Sequence, residues 1–97
     1  MQQIIRQVRA FPEECFFWAT HAGADLDLLI VRGRVRMGFE IKRTSSPKAT
    51  RSMHSAISDL KLQNLEVVHA GDQTFPLKEN IRAVSVHRIL TDLKPMN

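Results

Sequence analysis

The sequence has 97 residues, of which 43% are hydrophobic and 25% are charged. This length allows one hydrophobic core, so we expect a single domain over 1–97, and the composition excludes a disordered or fibrous chain. The formal net charge of +4 at pH 7 favours a polyanionic partner such as nucleic acid. A basic protein with no such partner is the alternative.

Cysteine usage and hydropathy restrict the expected compartment. Cys15 is the single cysteine, so the chain can form neither an internal disulfide nor a metal site that uses a cysteine pair. No segment approaches the roughly 18 apolar residues of a membrane span. The first residues also lack the apolar core of a signal peptide. We therefore expect a cytoplasmic protein that does not contact membranes.

The first half of the sequence predicts a short helix and three strands. Apolar residues at helical spacing before Pro12 predict a helical remnant or arm over 1–12. The aromatic-rich segment 15–20 predicts a strand. Alternation of polar and apolar residues predicts two half-buried strands, the first over 25–32 and the second from 35 to 42 or 43, joined by a tight hairpin turn.

The second half predicts a helical crossover to a buried strand. An apolar stripe predicts an amphipathic helix over 50–62, and Thr50 is its expected N-cap. The apolar run after this helix predicts a strand of the kind that a crossover connection brings into a sheet. The other expected segments are a loop at 44–49, the strand at 65–70, a loop at 71–80, a short strand at 81–86 and a helix at 86–93.

These elements predict an α/β fold. Their order is strand, strand, strand, helix, strand, followed by a further short strand and a helix. We expect a mixed central sheet of four to five strands flanked by helices.

Acidic and basic side chains share one face of the predicted hairpin. Asp25 and Asp27 alternate with leucines on its first strand, and Glu40 and Lys42 share a face of the second. Carboxylates are hard ligands for Mg²⁺ or Mn²⁺, and an ammonium group offsets charge that develops on phosphorus. We therefore expect a metal site for phosphodiester hydrolysis, with Asp27 and Glu40 as ligands, Lys42 as catalytic helper and Asp25 in support. The alternative is a cross-strand charge pair on a solvated face.

Other residues are weaker candidates around this site. His21 precedes the first of the two strands and could approach the site or a phosphate, although such a histidine more often satisfies loop backbone groups. Arg43, Lys48 and Arg51 could line a nucleic-acid track, and the same pattern also describes an ordinary solvated surface.

Two segments carry a resemblance to a known family. FFWATHAGADLDLL (16–29) and GFEIKRT (38–44) resemble the uncharacterised domain at the C-terminus of many prokaryotic AAA-type ATPases. That domain is grouped with the PD-(D/E)xK, or restriction-endonuclease-like, superfamily. The resemblance implies a three-layer core of helix, three strands, helix and strand. It also implies a metal-binding aspartate at Asp27, a second acidic ligand at Glu40 and the motif lysine at Lys42.

The sequence departs from the superfamily pattern at two points. The superfamily's first helix usually carries a glutamate, whereas the helix expected here is truncated and has glutamines as its polar candidates. The sequence also lacks the phosphate-binding loop of an ATPase, so we do not expect ATP hydrolysis. Three hypotheses follow: a metal-dependent nuclease, a catalytically inactive accessory or protein-interaction module for an ATPase, and a nucleic-acid-binding protein that does not cleave.

Overall fold

The computed structural model describes residues 2–17 and 26–95, which form a six-stranded mixed sheet with helices on both faces. The helices are α1 (Gln2–Val8), α2 (Arg51–Leu60) and α3 (Ile89–Asp92). The strands are β1 (Cys15–Phe17), β2 (Leu28–Arg32), β3 (Val35–Ile41), β4 (Asn64–His69), β5 (Phe75–Lys78) and β6 (Ile81–Ser85). Their order across the sheet is β1-β2-β3-β4-β6-β5.

The predicted hairpin between the second and third strands is confirmed. β2 and β3 pair antiparallel, and Arg32 is opposite Val35, so two residues make the turn. Gly33 adopts a φ of +58°, a left-handed conformation that glycine reaches without steric cost. β2 begins at Leu28, three residues later than expected, and Asp25 lies outside the described residues.

The helical crossover from β3 to β4 is also confirmed. Thr50 caps α2, since its Oγ1 accepts a hydrogen bond from the backbone N–H of Met53 at 3.3 Å. Lys61 ends the helix in the left-handed conformation, with φ +54°. β4 then pairs parallel with β3, as a crossover connection requires. None of the described helices has the length and apolar character needed to cross a membrane.

The expectation that the second strand is half-buried was wrong. Leu28 and Ile30 pack on the face covered by α1 and α3, whereas Leu26 and Leu29 pack on the face covered by α2. The sheet therefore lies between two helical layers, and apolar residues face both. Strands buried on both sides do not show a simple polar–apolar alternation.

The segment 71–80, expected to be a loop, contains β5. This strand pairs antiparallel with β6 at the edge of the sheet. Pro76 lies in this strand, and an edge strand tolerates a proline, which has no N–H to donate. β5 raises the number of strands to six in the described part of the chain, above the four to five expected.

The terminal helices pack against each other. Val8 of α1 is fully buried in the same cluster as Ile89 of α3. The Gln7 side chain donates hydrogen bonds to the carbonyls of Leu90 and Leu93 at 3.2 and 2.9 Å. The predicted helix is therefore present over Gln2–Val8, but it belongs to the core and does not form an arm.

An ion pair fixes the segment between α1 and β1 to the end of β2. The Arg32 guanidinium donates to both carboxylate oxygens of Glu14, at 2.8 and 2.9 Å, and to the carbonyl of Arg9 at 2.8 Å. Glu14 also accepts the backbone N–H of Phe11 at 2.8 Å. The Arg32 hydrogen bonds and the Phe11 N–H lower the pKa of Glu14 from 4.5 to about 2.

This shift predicts an acid-dependent loss of stability that the Glu14→Gln variant will not show. A carboxyl group whose pKa is depressed in the folded state stabilises the fold fully above its ordinary pKa of 4.5 and loses this effect as the pH falls to about 2. We expect wild type to exceed Glu14→Gln in free energy of unfolding at neutral pH. The difference should shrink between these two pKa values.

Urea titrations at a series of pH values measure the effect. Glu13→Gln is the matched control, since Glu13 is exposed and adjacent in the chain. A difference between wild type and Glu14→Gln that is the same at every pH would contradict the assignment.

Candidate functional site

The carboxyl ends of three parallel strands lie side by side at one end of the sheet, the carboxyl edge. β3, β4 and β6 run in the same direction and are direct neighbours. Ligands of open α/β sheets bind beyond the carboxyl ends of parallel strands, because the connecting loops leave space there. The predicted Glu40 and Lys42 lie at this edge, at the end of β3 and just beyond it. His69 and Ser85 are the last residues of β4 and β6.

Glu40 and Lys42 form a partly buried ion pair. Only 2% of the Glu40 surface is exposed, and its Oε2 lies 3.7 Å from Nζ of Lys42, whose side chain is 34% exposed. Removing a carboxylate from water is costly unless a cation or polar groups lie beside it. The pair is therefore not the solvated charge pair of the alternative interpretation. Glu40 occupies an interior position, and Lys42 connects it to the surface.

Asp27 lies immediately before β2 and is hydrogen-bonded to β3. Leu28 is paired with Phe39, so the next position along each strand brings Asp27 opposite Glu40. The backbone N–H of Asp27 donates to the carbonyl of Phe39 at 3.0 Å, and its Oδ2 accepts the N–H of Ile41 at 2.7 Å. These two bonds fix the carboxylate beside the strand that carries Glu40 and Lys42.

The fold thus brings three predicted site residues to one end of the β2–β3 hairpin: Asp27, Glu40 and Lys42. The supporting candidates Asp25 and His21 lie outside the described residues. Arg43, Lys48 and Arg51, predicted to contact nucleic acid, are exposed along the connection from β3 to α2. Within 2–17 and 26–95, no three His, Cys, Asp or Glu side chains are grouped so that they could hold a metal ion.

The chemistry of Asp27 and Glu40 fits Mg²⁺ or Mn²⁺. Both supply carboxylate oxygens, and Mg²⁺ is commonly held in phosphate-processing sites by one or two carboxylates, with water and substrate oxygens as the remaining ligands. Burial of Glu40 and the backbone bond to Asp27 limit the movement of both groups. The two residues could therefore hold such an ion together with a phosphate.

His69 organises the loop beside this edge, a role that sequence reasoning missed. Its ring is 1% exposed, and Nδ1 accepts the backbone N–H of Gly71 at 3.0 Å. Nε2 lies 2.8 Å from the carbonyl of Gln73 and must donate, because a carbonyl only accepts. The ring is therefore neutral and carries its proton on Nε2, and it packs edge-on against Phe75.

Ser85 closes the same loop from β6. Its Oγ donates to the carbonyl of Gly71 at 2.5 Å and accepts the N–H of His87 at 3.1 Å. Its backbone N–H donates to Oγ1 of Thr74 at 3.1 Å. No local pattern could have joined His69 to Ser85, since they are 16 positions apart and meet because β4 and β6 are paired.

A cavity lies at the opposite edge, where the parallel strands begin. It measures about 450 Å³ and includes the starts of β4 and β6 in its lining. Its most buried charge is Glu66, which accepts two hydrogen bonds from Arg82 at 3.0 Å each. Arg82 also donates to the carbonyl of Asp92 at 3.0 Å. These contacts connect β4, β6 and α3, so Glu66 and Arg82 have a structural role.

Comparisons with known proteins place the chain in a family. The family model of a domain of unknown function, DUF4143, matches residues 1–89. The chain belongs to the DUF4143 family. Uncharacterised proteins from Mycobacterium bovis and Mycobacterium tuberculosis are each 41% identical to it over 90 residues. The match covers 91% of this chain and 20% of each relative, so the chain spans a fifth of their length. No solved structure matches it.

The His69 contacts predict a stability loss that other histidines will not show. His69→Leu leaves the Gly71 N–H and the Gln73 carbonyl without their partner, and a buried polar group without a hydrogen bond costs about 1–3 kcal/mol. We therefore expect His69→Leu to lower the free energy of unfolding by about this amount, measured by urea titration. His54→Leu, at an exposed position of α2, should change it by less than about 0.5 kcal/mol. Equal effects of the two substitutions would contradict the role assigned to His69.

Proposed function

We propose that the chain is a nuclease-like domain that hydrolyses phosphodiester bonds of nucleic acid with Mg²⁺ or Mn²⁺. The observation that carries this proposal is the interior carboxylate of Glu40, 3.7 Å from the Lys42 ammonium at the carboxyl edge of parallel strands. Ligands of open α/β sheets bind at this position, so an ion pair placed there is a candidate for function. The net charge of +4 suits a polyanionic substrate.

Each residue has a chemical role in the proposed reaction. Asp27 and Glu40 supply the carboxylates that would hold the cation. A divalent cation held there would supply Lewis-acid chemistry, activating water and offsetting negative charge on the phosphate. Lys42 donates to a phosphate oxygen and offsets the charge that develops there during attack. Hydrolysis adds water across one P–O bond, leaving a phosphate on one fragment and a hydroxyl on the other.

The order of elements supports the proposal. α1, the three neighbouring strands β1, β2 and β3, the crossover α2 and the parallel strand β4 follow one another along the chain. This is the order that the resemblance to the PD-(D/E)xK superfamily implies. The Glu-x-Lys pair of that motif corresponds to Glu40 and Lys42, where β3 ends.

A second candidate is a catalytically inactive accessory or interaction module of an AAA-type ATPase. Three observations favour it. α1 carries no acidic side chain, so it adds no ligand to the two carboxylates. The described residues also contain no group of three potential metal ligands. The mycobacterial relatives, five times as long as the matched segment, leave room for the other domains that such a module would serve.

A cleavage assay with matched variants tests the nuclease proposal. We expect wild type to cut DNA or RNA in Mg²⁺ or Mn²⁺, and we expect EDTA to abolish this cleavage. Glu40→Gln and Lys42→Met should each lower the rate by about 10²-fold or more, because each removes a charge that acts on the transition state. Glu79→Gln and Lys78→Met are the controls, since both residues are exposed near the opposite edge.

A metal titration distinguishes the two candidates. Asp27→Asn keeps a side-chain oxygen to accept the Ile41 N–H but removes the negative charge. We expect it to fold as wild type does and to bind Mn²⁺ at least about 10-fold more weakly, measured by calorimetry. Wild-type protein that binds no Mn²⁺ and cuts no nucleic acid would overturn the nuclease proposal and favour the interaction module.

A further inference from the structure

A shallow apolar hollow lies beside the candidate site. It measures about 190 Å³ and is formed where β3, β4 and β6 end. Its lining consists of Ile41, Lys42, Arg43, Val68, His69, Ala70 and Val86. Lys42 belongs both to this lining and to the ion pair with Glu40. A molecule in the hollow would therefore lie next to the proposed hydrolytic site.

Two aliphatic side chains of the hollow are unusually exposed for their type. Ile41 and Val86 are 43% and 42% exposed, although the strands that lead to them are buried. Ile41 is paired with Val68, which is buried and also lines the hollow. Aliphatic side chains that converge on a concavity from different elements are typical of a binding surface.

The charged residues that line the hollow have one sign, and the acidic Asp27 and Glu40 lie beside it at the candidate site. Its lining includes Lys42 and Arg43, and no acidic residue is among the described residues that form it. Arg43 is exposed at the start of the connection to α2. The two polar nitrogens of His69 are already bonded to the loop, so this ring presents no free donor or acceptor. The surface therefore suits a molecule that combines negative charge with a flat apolar group.

An unpaired nucleotide has this combination. In a duplex the bases are stacked inside, and a surface that follows the backbone contacts phosphates and sugars. In a single strand or a frayed end, the base can leave the stack and lie against apolar side chains while cations contact the phosphates. An aliphatic hollow without hydrogen-bonding groups also predicts weak discrimination among bases.

We infer that this hollow seats an unpaired base next to the cleaved phosphodiester, so that the domain acts on single-stranded nucleic acid or on strand ends. The inference rests on the proposed function for the identity of the ligand. In this arrangement the base lies on Ile41 and Val86, and Arg43 contacts the adjacent phosphate. Lys42 links the hollow to Glu40 at the end of the same strand.

Binding without cleavage tests this inference. The probe is a fluorescein-labelled oligothymidylate, compared by anisotropy with a duplex of the same length, in EDTA so that no metal-dependent cleavage occurs. We expect wild type to bind the single strand at least about 10-fold more tightly than the duplex. Val86→Asp places a charge in the hollow and should remove this preference, while Val86→Ala should weaken it less.

Leu90→Asp is the matched control. Leu90 is 71% exposed on α3, outside the hollow, and the substitution adds the same charge. Thermal unfolding shows whether both aspartate variants fold. If both variants lose binding equally, the change in net charge explains the loss, and the inference is overturned. Tighter binding to the duplex, unaffected by Val86→Asp, would also overturn it.

Two further outcomes separate this inference from the proposed function. Binding of the single strand that depends on Val86, together with no cleavage in Mg²⁺, would support the hollow and reject the nuclease. Metal-dependent cleavage that depends on Glu40, with no preference for single strands, would support the nuclease and reject the hollow. If an acidic leucine-containing peptide binds in a Val86-dependent manner and oligothymidylate does not, the partner is a protein and the inference fails.

Discussion

β3 pairs antiparallel with β2 on one side and parallel with β4 on the other, and helices cover both faces of the resulting sheet. In such a sheet a charge in the middle of a strand is costly unless a partner lies beside it, as Arg82 lies beside Glu66. Charged side chains can then be accommodated where the strands end. Glu40 lies near the end of β3, one residue before its last pair with β4, and Lys42 lies beside it.

The same constraint explains why the carboxyl edge is polar and ordered. Pairing continues past the strands there, since the N–H of Lys42 donates to the Val68 carbonyl at 2.8 Å and that of Ala70 to the Thr44 carbonyl at 3.1 Å. His69 and Ser85 then hold the loop that follows β4. A site built on this edge has rigid neighbours on several strands. Rigid supports of this kind keep catalytic or binding groups at fixed distances.

The two sides of β3 at this edge differ in chemistry. Glu40 lies on the side that faces α2, as its pairing with Val67 indicates, and Ile41 lies on the other side with Val68. Successive residues of a strand point to opposite faces, so a two-residue segment presents both a carboxylate and an aliphatic surface. In the proposed arrangement, Glu40 acts on the phosphodiester on one side of β3 and Ile41 contacts the base on the other side.

The sequence by itself determined the local elements and the pairing that depends on them. Gly33 specified the hairpin, Thr50 specified the start of α2, and the Glu40–Lys42 spacing put both side chains on one face. These features depend on residues close together in the chain. Tertiary structure alone decided that the face is interior, that Pro76 lies in an edge strand, and that His69 meets Ser85. Those outcomes depend on which strands become neighbours and which helices cover them, and residues distant in the sequence determine both.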